Sequence, residues 1–411
     1  MTTTSLLAPS LPPSAPAAAR SVFRLLPRLR HGTLTLQLPD GNSAQFGTAR
    51  DGEPRAAMRL HNWNVCAAAL RSGDIGFAES FIAGDWTSPD LTALLTLFLA
   101  NRDHVERVVY GTWWGSLLHR AKHLLNRNSR RGSRKNIHAH YDLGNEFYRQ
   151  WLDETMSYSS AWFDGRRDGD MVAAQWAKVR RALTECGVQP GDRVLEIGCG
   201  WGGLAECGAR DFGAHVTGVT LSREQLDYAQ HRLQNAGLAE RATLRYQDYR
   251  EIGRDADAGH YDAIVSIEMF EAVGREYWAD YFDTLHRSLR PGGRACIQSI
   301  TIRDDLFARY VRSTDFIQQY IFPGGLLPSP TAFREAATRA GLVVVNELDF
   351  GLDYAETLRR WRERFLGAVG PIGQLGFDTR FMRIWEFYLA YCEAAFATGN
   401  TSVMQFTLQR Q

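Results

Sequence analysis

Between residues 190 and 300 the apolar positions fall into short continuous runs separated by polar stretches of helix length, the pattern of strands buried on both faces of a parallel sheet. Val194, Leu195 and Ile197 form the first run. Others lie at 215–219, 242–246 and 261–267, and a fifth at 294–300 follows the turn Arg290-Pro291-Gly292-Gly293. This repetition of strand and crossover predicts an α/β fold, a doubly wound and mostly parallel sheet covered by helices. Upstream, residues 33–60 read as short strands around an Asp40-Gly41 turn and 63–100 as helical. They predict a smaller α+β N-terminal domain, with 91–100 as a buried helix. Residues 1–20, rich in Pro, Ala and Ser, read as a disordered tail.

The first run continues as Glu196-Ile197-Gly198-Cys199-Gly200-Trp201-Gly202-Gly203. Its glycines let the backbone turn tightly and approach a nucleotide-like ligand where the next helix begins. No Gly-Lys-Ser/Thr follows, which argues against a phosphate-cradling loop, and the third glycine of dinucleotide spacing is missing. Thr220 ends the second run, where most such folds place a ribose-binding carboxylate, and Ser222 and Gln225 come shortly after. The third run leads into Gln247-Asp248-Tyr249. Asp248 fits either a ligand group or a turn former, and Tyr249 either a ligand wall or packing.

Longer segments resemble one family, the cyclopropane fatty acid synthases and the related mycolic acid methyltransferases. They are His140-Tyr141-Asp142-Leu143-Gly144-Asn145-Glu146-Phe147-Tyr148, Met156-Ser157-Tyr158-Ser159, the glycine turn with Trp201, and Leu221-Ser222 with Gln225. Ser266 to Gly274, Tyr320 to Gly325, and Asp353-Tyr354-Ala355-Glu356-Thr357-Leu358 with Trp361 continue the likeness over roughly 75–395. The resemblance implies a Rossmann-like class I methyltransferase domain. It also implies methyl transfer from S-adenosylmethionine to the double bond of an unsaturated acyl chain, usually within a membrane phospholipid. Glu196 would hold the amino acid end of the cofactor and Asp248 the adenine amino group. Gly198, Gly200, Thr220, Ser222, Gln225, Gln247 and Tyr249 would complete its site, with Tyr158 and Ser159 closing over it.

Methylating an alkene leaves a carbocation, so the site should exclude water, offer aromatic faces and supply a base for the departing proton. Tyr158, Trp162, Phe163, Phe270, Phe307, Tyr310, Phe316, Tyr320, Phe322 and Tyr354 are available, about half of them expected in the core. In the family the base resembles a bound bicarbonate held by a cysteine, a glutamate, a histidine, a backbone group and a tyrosine. Glu271 and Tyr354 match, and Ile300 is the backbone contributor. Ser160 stands at the cysteine position and Gln298 at the histidine position. Both can hydrogen-bond an anion, but Gln298 carries no charge and exchanges no proton. Bicarbonate and Glu271 therefore both stand as acceptors. The product is a cyclopropane or, alternatively, a methyl-branched or methylene-bearing chain. A catalytically idle lipid-binding protein is the reading of another class.

At 411 residues and 45% hydrophobic content, the chain can build two cores. The expected organisation is a tail (1–20), an N-terminal α+β domain with possible lipid binding (21–100), a basic amphipathic linker (101–137) and a methyltransferase domain (138–411). The net charge of +1 conceals the linker. Arg102, Arg107, Arg120, Lys122, Arg127, Arg130, Arg131, Arg134 and Lys135 there face only Asp103 and Glu106. Trp113, Trp114, Leu117, Leu118, Leu124 and Leu125 lie among them at near-helical spacing, which suits an anionic membrane surface or a solvated linker. No nucleic-acid reader motif accompanies the charge. The six cysteines have no metal-ligand spacing and fit a reduced cytosol, so no metal is expected. No run of about 20 apolar residues spans a bilayer and no signal peptide is read. The protein is expected in the cytoplasm, visiting the inner face of the membrane, with a homodimer possible.

Overall fold

The computed structural model describes residues 11–48, 50–102, 143–253 and 260–411. Most of the basic segment, with His138, His140 and Tyr141, lies outside them. The chain forms two compact units. The first comprises 1–123, 313–321 and 376–398, and so takes two stretches from inside the range expected for the methyltransferase domain.

In that first unit, β1 (Thr33–Gln37) pairs antiparallel with β2 (Ser43–Gly47) and parallel with β3 (Arg55–Leu60), which meets the short β4 (Trp86–Thr87). Alternate residues Leu34, Leu36, Ala56, Met58 and Leu60 are buried. Helices Asn64–Ala83, Leu91–Ala100 and Thr379–Ala397 complete the unit. Leu91–Ala100 is capped by the Asp90 carboxylate and buries Leu91, Leu94, Leu95 and Leu97. The tail expectation needs correction over its last residues. Ala17–Phe23 is a helix with Ala19, Val22 and Phe23 buried, because three alanines of high helix propensity precede an apolar face that composition alone obscures.

The second unit carries a seven-stranded sheet in the order β10-β11-β9-β8-β5-β6-β7. Its parallel strands are β5 (Arg193–Ile197), β6 (His215–Thr220), β7 (Ala242–Tyr246), β8 (Tyr261–Ile267) and β9 (Leu289–Ile302). The antiparallel β11 (Thr401–Arg410) lies between β9 and β10 (Leu342–Asp349). Val194, Leu195, Ala263, Ile264, Val265, Ala295, Cys296 and Ile297 are essentially inaccessible, as strands covered on both faces require. The chain leaves β5 for β6 on one side and later returns to β8 on the other. The carboxyl end of β5 is therefore the topological switch point, where doubly wound sheets bind ligands.

Candidate active site

A cavity of about 190 Å³ opens at that switch point. The turn after β5 forms its floor. Gly198, Gly200 and Gly202 all take positive φ, and a Cβ at Gly202 would come within 2.9 Å of Ala229 Cβ. Gly200, at φ 49°, has nothing within 4 Å of the position its Cβ would take. Glu196, Gly198, Gly200, Thr220, Gln225, Gln247 and Tyr249 line the cavity, together with Tyr158 and Ser159. Glu196 is 4% exposed, and its Oε2 has no hydrogen-bond partner among the described residues. Burial pushes its carboxyl up to about 8. A buried carboxylate oxygen without a partner, in a glycine-floored cavity, fits the ammonium of an amino acid ligand.

Two expected cofactor residues sit differently. Ser222 is not among the cavity-lining residues; it caps helix Arg223–Asn235, accepting from Gln225 N. Asp248 also stands behind the wall. Its Oδ1 accepts from Arg250 N and Nε and its Oδ2 from Arg250 Nη2 at 2.7 Å, leaving Gln247, Tyr249 and Arg250 on the cavity side. The carboxylate positions the Arg250 side chain.

The opposite wall is built by the segment 156–163. Helix Gly351–Gly367 holds it through Thr357 Oγ1, which accepts from Ala161 N, and Asp353 Oδ2, which accepts from Phe163 N. Helix Met171–Glu185 holds it from another side. Gln175 Nε2 donates to Ser159 O at 3.0 Å, and Lys178 Nζ donates to Ser159 Oγ at 2.6 Å. Lys178 is 1% exposed and lines the cavity. Burial pulls its ammonium down to about 8 against the attraction of Glu268 and Asp153. Tyr158 packs among Tyr148, Trp151, Trp361 and Phe322. Phe270, by contrast, belongs to the core with Trp278, Phe282 and Phe333.

Three of the residues expected around an anion, Ser160, Gln298 and Tyr354, meet at a side chain that sequence reasoning did not single out, Glu268. Its Oε1 accepts from Ser160 N at 2.8 Å and from Gln298 Nε2 at 2.7 Å, and its Oε2 accepts from Tyr354 Oη at 2.7 Å. Glu268 is a cavity-lining residue, whereas Glu271 is not. Glu271 Oε1 accepts from Ile300 N and Ser299 Oγ, and its Oε2 is enclosed without a partner among the described residues. Burial, and then the charge of Glu268, pushes the Glu271 carboxyl up to about 8. The donors expected to hold bicarbonate are therefore taken by carboxylates of the chain, Ser160 N, Gln298 and Tyr354 by Glu268 and Ile300 N by Glu271, and the residues present do not fit a separate anion there. Sequence carried one signal for Glu268: a carboxylate directly after a buried strand, at the end of the sheet where ligands bind.

Residues 128–406 match the family model described as mycolic acid cyclopropane synthetase. The chain is 41% identical to tuberculostearic acid methyltransferase UfaA1 of Mycobacterium tuberculosis, over 97% of this chain and 93% of that one. It is 33% identical to the cyclopropane-fatty-acyl-phospholipid synthase of Escherichia coli strain K12, over 89% and 91% of the two chains. The crystal structure of mycolic acid cyclopropane synthase CmaA1 complexed with SAH and CTAB aligns with a TM-score of 0.62 and 32% identity, covering 67% of this chain and 98% of that one. With more than half its length matched by the family model and a relative so similar along nearly the whole of both chains, this protein belongs to the mycolic acid cyclopropane synthetase family.

Proposed function

We propose that this chain methylates the double bond of an unsaturated fatty acyl chain carried by a membrane phospholipid. S-adenosylmethionine, when bound, supplies an electrophilic methyl group on sulfur. The observation that carries the reading is a single cavity lined by Glu196, with its buried oxygen unpartnered among the described residues, by Tyr158 and by a second carboxylate, Glu268. Glu196 binds the ammonium end of the cofactor. Thr220 and Gln225 orient its ribose, and the glycine turn admits its backbone-hugging part. The Tyr158 ring, fixed by its aromatic neighbours, presents a face to a developing cation and keeps water out. A neutral alkene needs no base before it is methylated, only one afterwards.

Two observations favour a methyl-branched or methylene-bearing product over a cyclopropane. Gln298 brings no titratable group to the site, and the relative at 41% identity is named a methyltransferase. The basic segment would bring the enzyme to the cytoplasmic face of an anionic membrane, and no helix among the described residues is long and apolar enough to cross one. Mass spectrometry of lipids from a host expressing the chain tests this reading. One-carbon extension of unsaturated acyl chains, with a methyl or methylene branch, is expected. A cyclopropane alone would reject the product assignment, and unaltered lipids would reject the function.

A further inference from the structure

We propose that Glu268 is the group that takes up the proton released after methyl transfer, so that the chain carries its own base and binds no bicarbonate. The inference rests on the acyl-methylation reading. Four observations support it, the first being position. Glu268 lines the cofactor cavity, where the reacting carbon must lie, while both Glu271 oxygens are turned away into strand β9 or enclosed.

The second is that the three donors are committed and aimed. Gln298 Oε1 accepts from Gln405 Nε2 at 3.0 Å, and Gln405 Oε1 in turn accepts from Arg181 Nη1 at 2.6 Å. Arg181 has only donors, so it fixes the amide of Gln405, which fixes that of Gln298 with its NH2 toward Glu268. Gln405 and Gln298 are register partners on β11 and β9. The relay ends by presenting an N–H donor to Glu268 Oε1, which favours the charged form of that carboxyl.

The third is backbone conformation. Glu268 sits at φ 50°, one of three non-glycine residues with positive φ among those described. Its N–H is tied to Gln298 O at 2.8 Å. A glutamate held in the left-handed region costs free energy that glycine would not, and such strain persists at sites that use it. The fourth is electrostatic. Burial raises the Glu268 carboxyl, while the Lys178 charge and the bonds from Ser160, Tyr354 and Gln298 oppose the rise. The net direction is upward, which makes the carboxylate a better proton acceptor than a solvent-exposed one.

The step balances without an oxidant or reductant. As the S–CH3 bond breaks, its electron pair stays on sulfur, and the alkene π pair becomes the new C–C bond, leaving the neighbouring carbon cationic. A C–H bond of the transferred methyl then breaks, and its proton goes to a Glu268 oxygen. The C–H pair closes a three-membered ring on the cationic carbon or, where a 1,2-hydride shift has first moved the cation to the carbon bearing the new methyl, forms a C=CH2 methylene branch on the open chain. Glu268 accounts for the proton in either product.

Three full-length proteins test the assignment in CO2-depleted buffer: wild type, Glu268→Gln and Glu268→Gly. Wild type is expected to keep its turnover without added bicarbonate and to give no bound signal in 13C NMR with labelled bicarbonate. Both variants should keep S-adenosylmethionine affinity within about twofold by calorimetry while turnover falls at least about a hundredfold. Glu268→Gly, whose backbone is relaxed, should bind labelled bicarbonate and regain at least about tenfold of its turnover with formate or bicarbonate. Glu271→Gln should stay within about tenfold of wild type. Wild-type dependence on bicarbonate, a bound bicarbonate signal in wild type, or Glu268→Gln within tenfold of wild type would overturn the proposal. If wild type alters no lipid, the acyl-methylation reading fails instead, and the NMR result still decides whether Glu268 displaces the anion.

Discussion

The hydroxyl of Tyr354 donates to Oε2 of Glu268 at 2.7 Å, joining helix Gly351–Gly367 to the end of strand β8. This bond favours the charged carboxylate. Tyr354→Phe removes it and raises the carboxyl further, so a smaller fraction is ionised at a given pH. Hydrogen bonds to charged groups contribute about 1.5–3 kcal/mol, which predicts a turnover loss of roughly ten- to a hundredfold. The acid limb of the turnover–pH profile should move to higher pH. An unmoved limb would mean that Tyr354 only packs.

Gly200→Val should abolish cofactor binding. The valine Cβ would enter open cavity space at φ 49°, a conformation β-branched residues avoid. Calorimetry should give at least about a hundredfold weaker binding of S-adenosylmethionine, roughly 2.7 kcal/mol. Unchanged affinity would place the cofactor elsewhere.

The stability of the ligand-free protein should pass through a minimum near pH 8. Glu196 binds a proton more tightly folded than unfolded, so its contribution is full below the usual carboxylate range and is lost as pH rises toward about 8. Lys178 is the mirror case. Its folded-state value is lowered to about 8, so it weakens the fold as pH falls from the ordinary lysine range to about 8, and no further below that. Each contributes a slope of about 1.4 kcal/mol per pH unit within its window. Thermal midpoints measured from pH 5 to 10 should trace this curve, and Glu196→Gln should make its acid arm shallower by about 1.4 kcal/mol per pH unit, with Glu271, also raised to about 8, supplying a slope that remains. The same acid slope in wild type and Glu196→Gln would contradict the assignment.

Reversing the charge of Arg130, Arg131, Arg134 and Lys135 should release the protein from anionic vesicles at low salt, because each basic residue near such a surface contributes about 1 kcal/mol. Sedimentation with phosphatidylglycerol vesicles measures this. A variant that still sediments with them would leave the segment as a linker.

The parts of the site that were legible in the sequence are those built by neighbours in the chain. Glu196 and the glycines that follow it fold into one turn, and Thr220 and Gln225 follow the adjacent strand. Residues whose roles depend on distant segments were not legible. Nothing near Gln298 reveals that Gln405 orients its amide, since β11 pairs with β9 across 107 positions. Glu268 stands three places before the glutamate that family likeness singled out, and its positive φ and its place on the cavity wall are visible only in the folded chain. Asp248 read as a ligand because its nearest competitor, Arg250, was two residues away and silent in the pattern. Lys178 and Gln175 lay on a helix with no glycine or strand signal to mark it.

The antiparallel strand β11 also bears on when the enzyme becomes competent during its synthesis. Of the eleven strands among the described residues it is the last to be synthesised, yet it occupies the place between β9 and β10. Until then a nascent chain holds β9 with one edge unpaired and β10 without a sheet neighbour, an arrangement open to mispairing with other chains. Gln405 arrives on that same strand. The amide that aims Gln298 is thus delivered by the event that seals the sheet, so the base comes into register only as the sheet closes.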